Sequence, residues 1–185
     1  MTNYYNVLMT SRNKDNKELP GFKQRTWSFL VPENYNRFEL NDTFDKFIAE
    51  GVRGEVSRAY ISVNLRDGAK VHQALMHDLI DQPDMDLTKI AHRLTQLATA
   101  KTSRTHHWLL DVDTHSQQRL QEIVTYLQEL FAQTNMDNQF TLKKSLSGYH
   151  IIVDHGFDTR ELLAKFPEID LKRDAMTLLK VHIPK

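Results

Sequence analysis

The sequence contains no cysteine among its 185 residues. Disulfides, thiolate-bound zinc and thiol redox chemistry are thereby excluded, and a reducing compartment fits. No apolar run approaches the length of a membrane span, and residues 1–20 are too polar for a signal peptide. A soluble, cytoplasmic protein without a membrane partner is the expectation. Neither sign of charge is in excess: 24 lysines and arginines balance 24 aspartates and glutamates, so no global basic field draws nucleic acid to the surface. Any such contact must be local. Internal repeats and low-complexity segments are also lacking.

What is present is length enough for one domain with a substantial core and no covalent staples. The most informative stretch is His107–Asp113, a hydrophobic run that ends in two acids. A strand repeats its facing every two residues, so Leu109, Asp111 and Asp113 share one face, and Trp108, Leu110 and Val112 the other. The two acids would have Cα atoms roughly 6–7 Å apart, and their carboxylates could converge on one hard cation or on two about 3.5–4 Å apart. The plain alternative is a pair of polar residues where a strand leaves the core. Three of the nine histidines, His106, His107 and His115, flank the pair. Exposure at element ends accounts for each of them.

Taken in order, residues 1–24 are rich in Asn, Lys and Arg, and Pro20-Gly21 marks a turn, which suggests a short strand at best followed by loop. Thr26–Val31 reads as a strand stopped by Pro32. Phe44, Phe47 and Ile48 have helical spacing within Asp42–Glu50, before Gly51. Glu55–Leu65 alternates, with Ala59, Ile61, Val63 and Leu65 on one face and Arg58, Tyr60, Ser62 and Asn64 on the other. Arg58 and Arg66 are candidate nucleic-acid contacts there, by meeting phosphates. Helices are expected over 69–81 and 86–100, the second carrying Leu87, Ile90, Ala91, Leu94, Leu97 and Ala98 as a core stripe.

After the acidic strand, Thr114–Gln117 reads as a capping box for a long helix with Leu120, Ile123, Val124, Leu127, Leu130 and Phe131 inward. A polar turn at 135–139 precedes strands Phe140–Lys144 and Tyr149–Val153, joined through Ser145–Gly148. Asp158–Glu161 reads as another capping box, for a short helix ending before Pro167. Glu168–Lys172 and Met176–Ile183 read as a closing hairpin around Arg173-Asp174-Ala175.

Three motifs in this order resemble the archaeo-eukaryotic primase, or primase-polymerase, superfamily. They are Leu109-Leu-Asp-Val-Asp113, Ser145-Leu-Ser-Gly-Tyr-His-Ile-Ile152 and Ile169-Asp170. The phrase around His150 is the most specific, and small phage and plasmid members look similar there. The resemblance covers about residues 55–181, with 1–54 left as an extension or part of an N-terminal α/β unit. It implies an α+β fold in which an RRM-like antiparallel sheet with flanking helices stands beside that unit. It further implies a DNA primase or polymerase-like nucleotidyltransferase of replication or repair. Asp111, Asp113 and Asp170 would be the catalytic acids holding two magnesium or manganese ions, and Ser147 and His150 would bind the nucleotide. Asp174 is the alternative to Asp170. The implied partners are nucleoside triphosphates, single-stranded or primed DNA, and a helicase or another replication protein.

Two other classes compete. One is a non-catalytic nucleic-acid-binding protein on the same fold, using Arg58, Arg66 and Tyr60. The other is a haloacid dehalogenase-like phosphatase, suggested by Leu109–Thr114, with Asp111 as nucleophile and Asp113 as acid/base. That class needs a Rossmann-like sheet after the motif, and too few residues follow Asp113 to build one.

Overall fold

A computed structural model of the chain describes residues 2–134 and 139–184. Most of the polar turn expected at 135–139 therefore lies outside the described residues. In chain order the elements are β1 (Tyr4–Ser11), β2 (Arg25–Pro32), α1 (Arg37–Ala49), β3 (Ser57–Ser62), α2 (Gly68–Asp81), α3 (Ile90–Leu97), β4 (Trp108–Val112), α4 (Gln117–Gln133), β5 (Phe140–Lys144), β6 (Tyr149–Val153), α5 (Arg160–Lys165), β7 (Ile169–Lys172) and β8 (Met176–His182). The protein is α+β with two antiparallel four-stranded sheets. It divides into two compact units, one running to Thr105 and resuming at Leu178, the other spanning His106–Thr177. Within the first unit, β3, which follows the residues 1–54 left as an extension or part of an α/β unit, pairs with β1 inside that stretch.

In the first unit the strand order is β2-β1-β3-β8. β1, where a short strand at best was expected, is an eight-residue inner strand, antiparallel to both β2 and β3. Its polar residues hide a period of two. Val7 and Met9 are buried with Ala59 and Ile61 of β3 and with Phe44 and Phe47 of α1, and Tyr5 packs against that cluster. α1 begins earlier than the apolar spacing indicates because the Asn36 side chain accepts from the Phe38 N–H at 2.9 Å. The helix expected over 86–100 is broken. The Asp86 carboxylate accepts from both Thr88 N and Thr88 Oγ1, holding a 3-10 turn at Leu87–Lys89 and leaving Leu87 68% exposed rather than in the core.

A buried ion pair ties β2 to the segment before β3. Arg25 Nη2 donates at 2.5 Å to Glu55 Oε1 and at 2.9 Å to the Phe47 carbonyl. Glu55 is buried, and its Oε2 accepts from the Val52 N–H. Desolvation works to raise the Glu55 pKa, but hydrogen bonds from Arg25, Ser11 and Val52 outweigh it and hold the carboxyl below its usual value. A depressed folded pKa contributes stability that is present above the unfolded value and lost as pH falls through the folded one. Urea unfolding of Glu55→Gln should therefore show a loss on the order of 3 kcal/mol at pH 7. The gap to wild type should narrow as the pH is taken below 4.5, the ordinary value for glutamate. A gap independent of pH would contradict the ionised pair.

The second unit runs β4-α4-β5-β6-α5-β7, and its strand order is β5-β6-β4-β7. This is a split βαβ arrangement, with β6 inserted between β4 and β5. β4 is antiparallel to both of its neighbours, so the parallel Rossmann-like sheet of the phosphatase alternative is absent from this unit. α4 and α5 cover one face: Leu120, Ile123, Leu127, Phe131 and Leu162 are buried with Leu110, Val112, Ile151, Val153 and Ile169. The start of α4 is capped two residues later than the sequence suggests, by Ser116, whose Oγ accepts from Arg119 N at 3.2 Å. Asp158, accepting from Arg160 N at 3.1 Å, opens α5 without the reciprocal bond of a capping box.

β7 and β8 do not form the expected hairpin. β7 pairs with β4, while β8 joins the first sheet beside β3. Among the described residues, no helix is long and apolar enough to cross a membrane.

Candidate active site

With α4 and α5 on one face of the second sheet, strand alternation sends Leu109, Asp111, His150, Ile152, Asp170 and Lys172 to the other. The register aligns them further. Asp111 lies directly opposite His150 on β6 and opposite Asp170 on β7, and Lys143 of β5 lies opposite His150. Directly opposed side chains have Cβ atoms about 4.5–5.5 Å apart. The sheet thus carries one polar row, Lys143–His150–Asp111–Asp170, assembled from four strands.

His150 is buried, at 7% exposure. Its Nε2 lies 3.4 Å from Asp111 Oδ1, and its Nδ1 is 3.0 Å from the hydroxyl of Thr177, itself buried. A carboxylate offers no proton, so the proton facing Asp111 belongs to Nε2, and the Nδ1 of a neutral ring then accepts from Thr177. Leu109 and Ile152, on the same face, are buried and give this pair a dry side. Asp111 is also met by Lys172, whose Nζ stands 2.5 Å from Asp111 Oδ2 and 3.4 Å from Asp170 Oδ2. Hydrogen bonding from His150 lowers the Asp111 carboxyl to about 2; desolvation opposes this and the Lys172 ammonium reinforces it. For Lys172, desolvation works to lower the ammonium pKa, and the bonds to Asp111 and Asp170 raise it above the usual lysine value.

Asp113 stands apart from this group. It is exposed, one residue beyond β4, with its N–H donating to the Glu168 carbonyl at 3.1 Å, which extends the β4–β7 ladder by one step. Ser147 is exposed in the turn between β5 and β6. That turn lies against the end of β4: a Cβ on the buried Gly148 would fall 2.0 Å from the Val112 carbonyl oxygen and 2.8 Å from Thr114 N. Only glycine lets the two backbones approach this closely. Asp174 is exposed in the β7–β8 connection, and Asp170 is the candidate whose register lies opposite Asp111.

The two arginines expected as nucleic-acid contacts have partners within the chain. Arg66 is buried at 4% exposure, and its Nη1 donates to the Thr99 carbonyl and to the Ser103 hydroxyl, so it ties these segments together. Arg58 is engaged by Asp15 at 2.6 Å, with 17% of its side chain exposed. Of the flanking histidines, His107 has its Nδ1 3.3 Å from Asp154 Oδ1, while His106 and His115 are exposed.

Among the described residues, no group of three or more His, Asp or Glu is gathered to hold a metal ion. Two of the three expected acids are nevertheless joined by one cationic group, the Lys172 ammonium. Hard carboxylate oxygens on both sides of one point form a donor set that suits magnesium or manganese. Asp111 and Asp170 are the two carboxylates that would face such an ion, and Asp113 follows Asp111 by two residues. Lys172 and Thr177 are the site residues that sequence reasoning missed. Lys172 had a readable signal, since it stands two residues after Asp170 and so shares its face. Thr177 had none, because it lies 27 residues from His150 and no local spacing links the two. Comparison of the chain with protein-family models, with curated proteins and with solved structures gave no match.

Proposed function

We propose that this chain is a primase-polymerase-type nucleotidyltransferase that adds nucleotides to a DNA 3′-hydroxyl. The observation that carries this reading is the register of His150, Asp111 and Asp170 across three adjacent strands, on the face opposite α4 and α5 of a β-α-β-β-α-β sheet. The RRM-like strand order and the order of the three motifs along the chain agree with it.

In the reaction, the 3′-hydroxyl oxygen bonds to the α-phosphorus of a nucleoside triphosphate. The bond from that phosphorus to the β-phosphate oxygen breaks, pyrophosphate leaves, and the hydroxyl proton passes to solvent. Two divalent ions held at the acids would supply activation of the attacking oxygen and neutralisation of the leaving group. Asp111 and Asp170 would hold them, with Asp113 completing the set from the end of β4. His150, its Nε2 aimed at Asp111, orients that carboxylate while Thr177 holds the ring from behind. Ser147, exposed on the glycine turn, suits contact with the triphosphate. Template DNA would be held by local contacts or by a partner such as a helicase, given the balanced charge.

Incorporation of labelled nucleotides on single-stranded and primed DNA, with magnesium or manganese, tests this reading. Metal-dependent extension is the expected result. No product, together with no nucleotide binding by calorimetry, would contradict it. The second reading, a binding protein on the same fold without metal chemistry, would then take its place, favoured by the ammonium already seated between the acids.

A further inference from the structure

Two carboxylates opposite each other on adjacent strands repel, and a sheet that carries such a pair needs a cation between them. In this chain the cation is covalently attached. Lys172 follows Asp170 by two residues on β7, so both point to the same face, and its stem brings the ammonium back to 2.5 Å from Asp111 and 3.4 Å from Asp170. We propose that Lys172 is the resident counter-ion of the acidic pair, so that a divalent ion enters only as the ammonium leaves, and that the triphosphate of the incoming nucleotide receives the displaced ammonium.

The inference rests on the nucleotidyltransferase reading and deepens it. An ammonium and a divalent ion cannot share the point between two carboxylates, because like charges there would repel through a partly dry medium. Exchange is therefore one for one. The side chain can make the exchange: 41% of it is exposed, and its charge sits on a flexible four-carbon stem that swings without unpacking the core. An ammonium released from two carboxylates needs another anion, and a triphosphate bound to the same metal brings the strongest one within reach. Metal and nucleotide should consequently bind with positive coupling through Lys172.

The test is Mn2+ binding, followed by the paramagnetic resonance signal of the free ion and by calorimetry. The proteins are wild type, Lys172→Met, Lys172→Gln and the double variant Lys172→Met/Asp111→Asn, each with and without a non-hydrolysable nucleoside triphosphate. Thermal melts establish that each is folded, and having two neutral replacements guards against failure of one. Without nucleotide, both single variants should bind Mn2+ about tenfold more tightly than wild type. Nucleotide should tighten Mn2+ binding more in wild type than in either variant, and the double variant should lose the site. If both single variants bind Mn2+ no more tightly than wild type while binding still depends on Asp111, the role of Lys172 is overturned and the metal site stands. If no protein shows Asp111-dependent binding with or without nucleotide, the metal site fails, and this inference with it.

Discussion

Asp111→Asn should lower metal-dependent nucleotide incorporation about 10³-fold, roughly 4 kcal/mol of transition-state stabilisation. The substitution keeps the size of the side chain and lets an amide oxygen face His150, so the β4–β6–β7 ladder has no steric reason to shift. What it removes is charge. Asp111 is the shared element of the row, met by His150 on one side and by Lys172 on the other, and it stays ionised down to a pH of about 2. An amide there holds a hard cation far less well than a carboxylate, and Lys172 is left to Asp170 alone. Incorporation rates measured beside urea melts separate the two effects: activity should fall by orders of magnitude in a protein that still unfolds cooperatively. Activity within tenfold of wild type would remove Asp111 from the chemistry. Asp113→Asn should also reduce incorporation, with little change in stability because the side chain is exposed.

Gly148→Ala should be the most damaging single-methyl change in the second unit. The added Cβ would meet the Val112 carbonyl oxygen at 2.0 Å, Thr114 N at 2.8 Å and Thr114 O at 3.0 Å. These are all backbone atoms, so no rotamer change relieves the contact, and the β5–β6 turn must separate from the end of β4. That separation breaks the ladder where Val112 opposes Tyr149 and moves the segment carrying Asp113. A loss of about 3 kcal/mol or more in urea unfolding is expected, with activity falling further than stability alone explains. Gly21→Ala provides the contrast: its φ is +73° and nothing lies within 4 Å of the added carbon, so only backbone strain of about 1 kcal/mol is expected. Equal losses for the two variants would show that the close approach at Gly148 does not hold the strands.

Where an element buries one face and ends in a turn signal, the sequence made it readable. β5 and β6 fall at the expected residues because apolar alternation ends on either side of Ser145–Gly148. The inward face of α4 follows from its spacing, and Phe44 and Phe47 of α1 are buried as expected. β1 escaped because Asn6 and Thr10 dilute its alternation, and only pairing on both sides makes it an inner strand. The separation of β7 from β8 was equally illegible, since a short turn between two strand-like runs suits a hairpin whether or not the strands share a sheet.

The same limit applies to the site. Alternation puts Asp111 and Asp113 on one face, and only the interstrand register adds His150 and Asp170 to the row that Asp111 belongs to. Arg66 shows what strand spacing leaves out. An arginine beside a polar strand face looks like a phosphate ligand until burial and its carbonyl and hydroxyl acceptors are seen.

The central claim is that Asp111 and Asp170 hold the divalent ion used in nucleotidyl transfer. Anomalous diffraction from crystals grown with Mn2+ and a non-hydrolysable nucleoside triphosphate tests it most directly. The account expects a manganese peak bonded to both carboxylates, with the Lys172 ammonium turned to the phosphates. A bound nucleotide with no manganese at that pair, and Lys172 still seated between the acids, would contradict it.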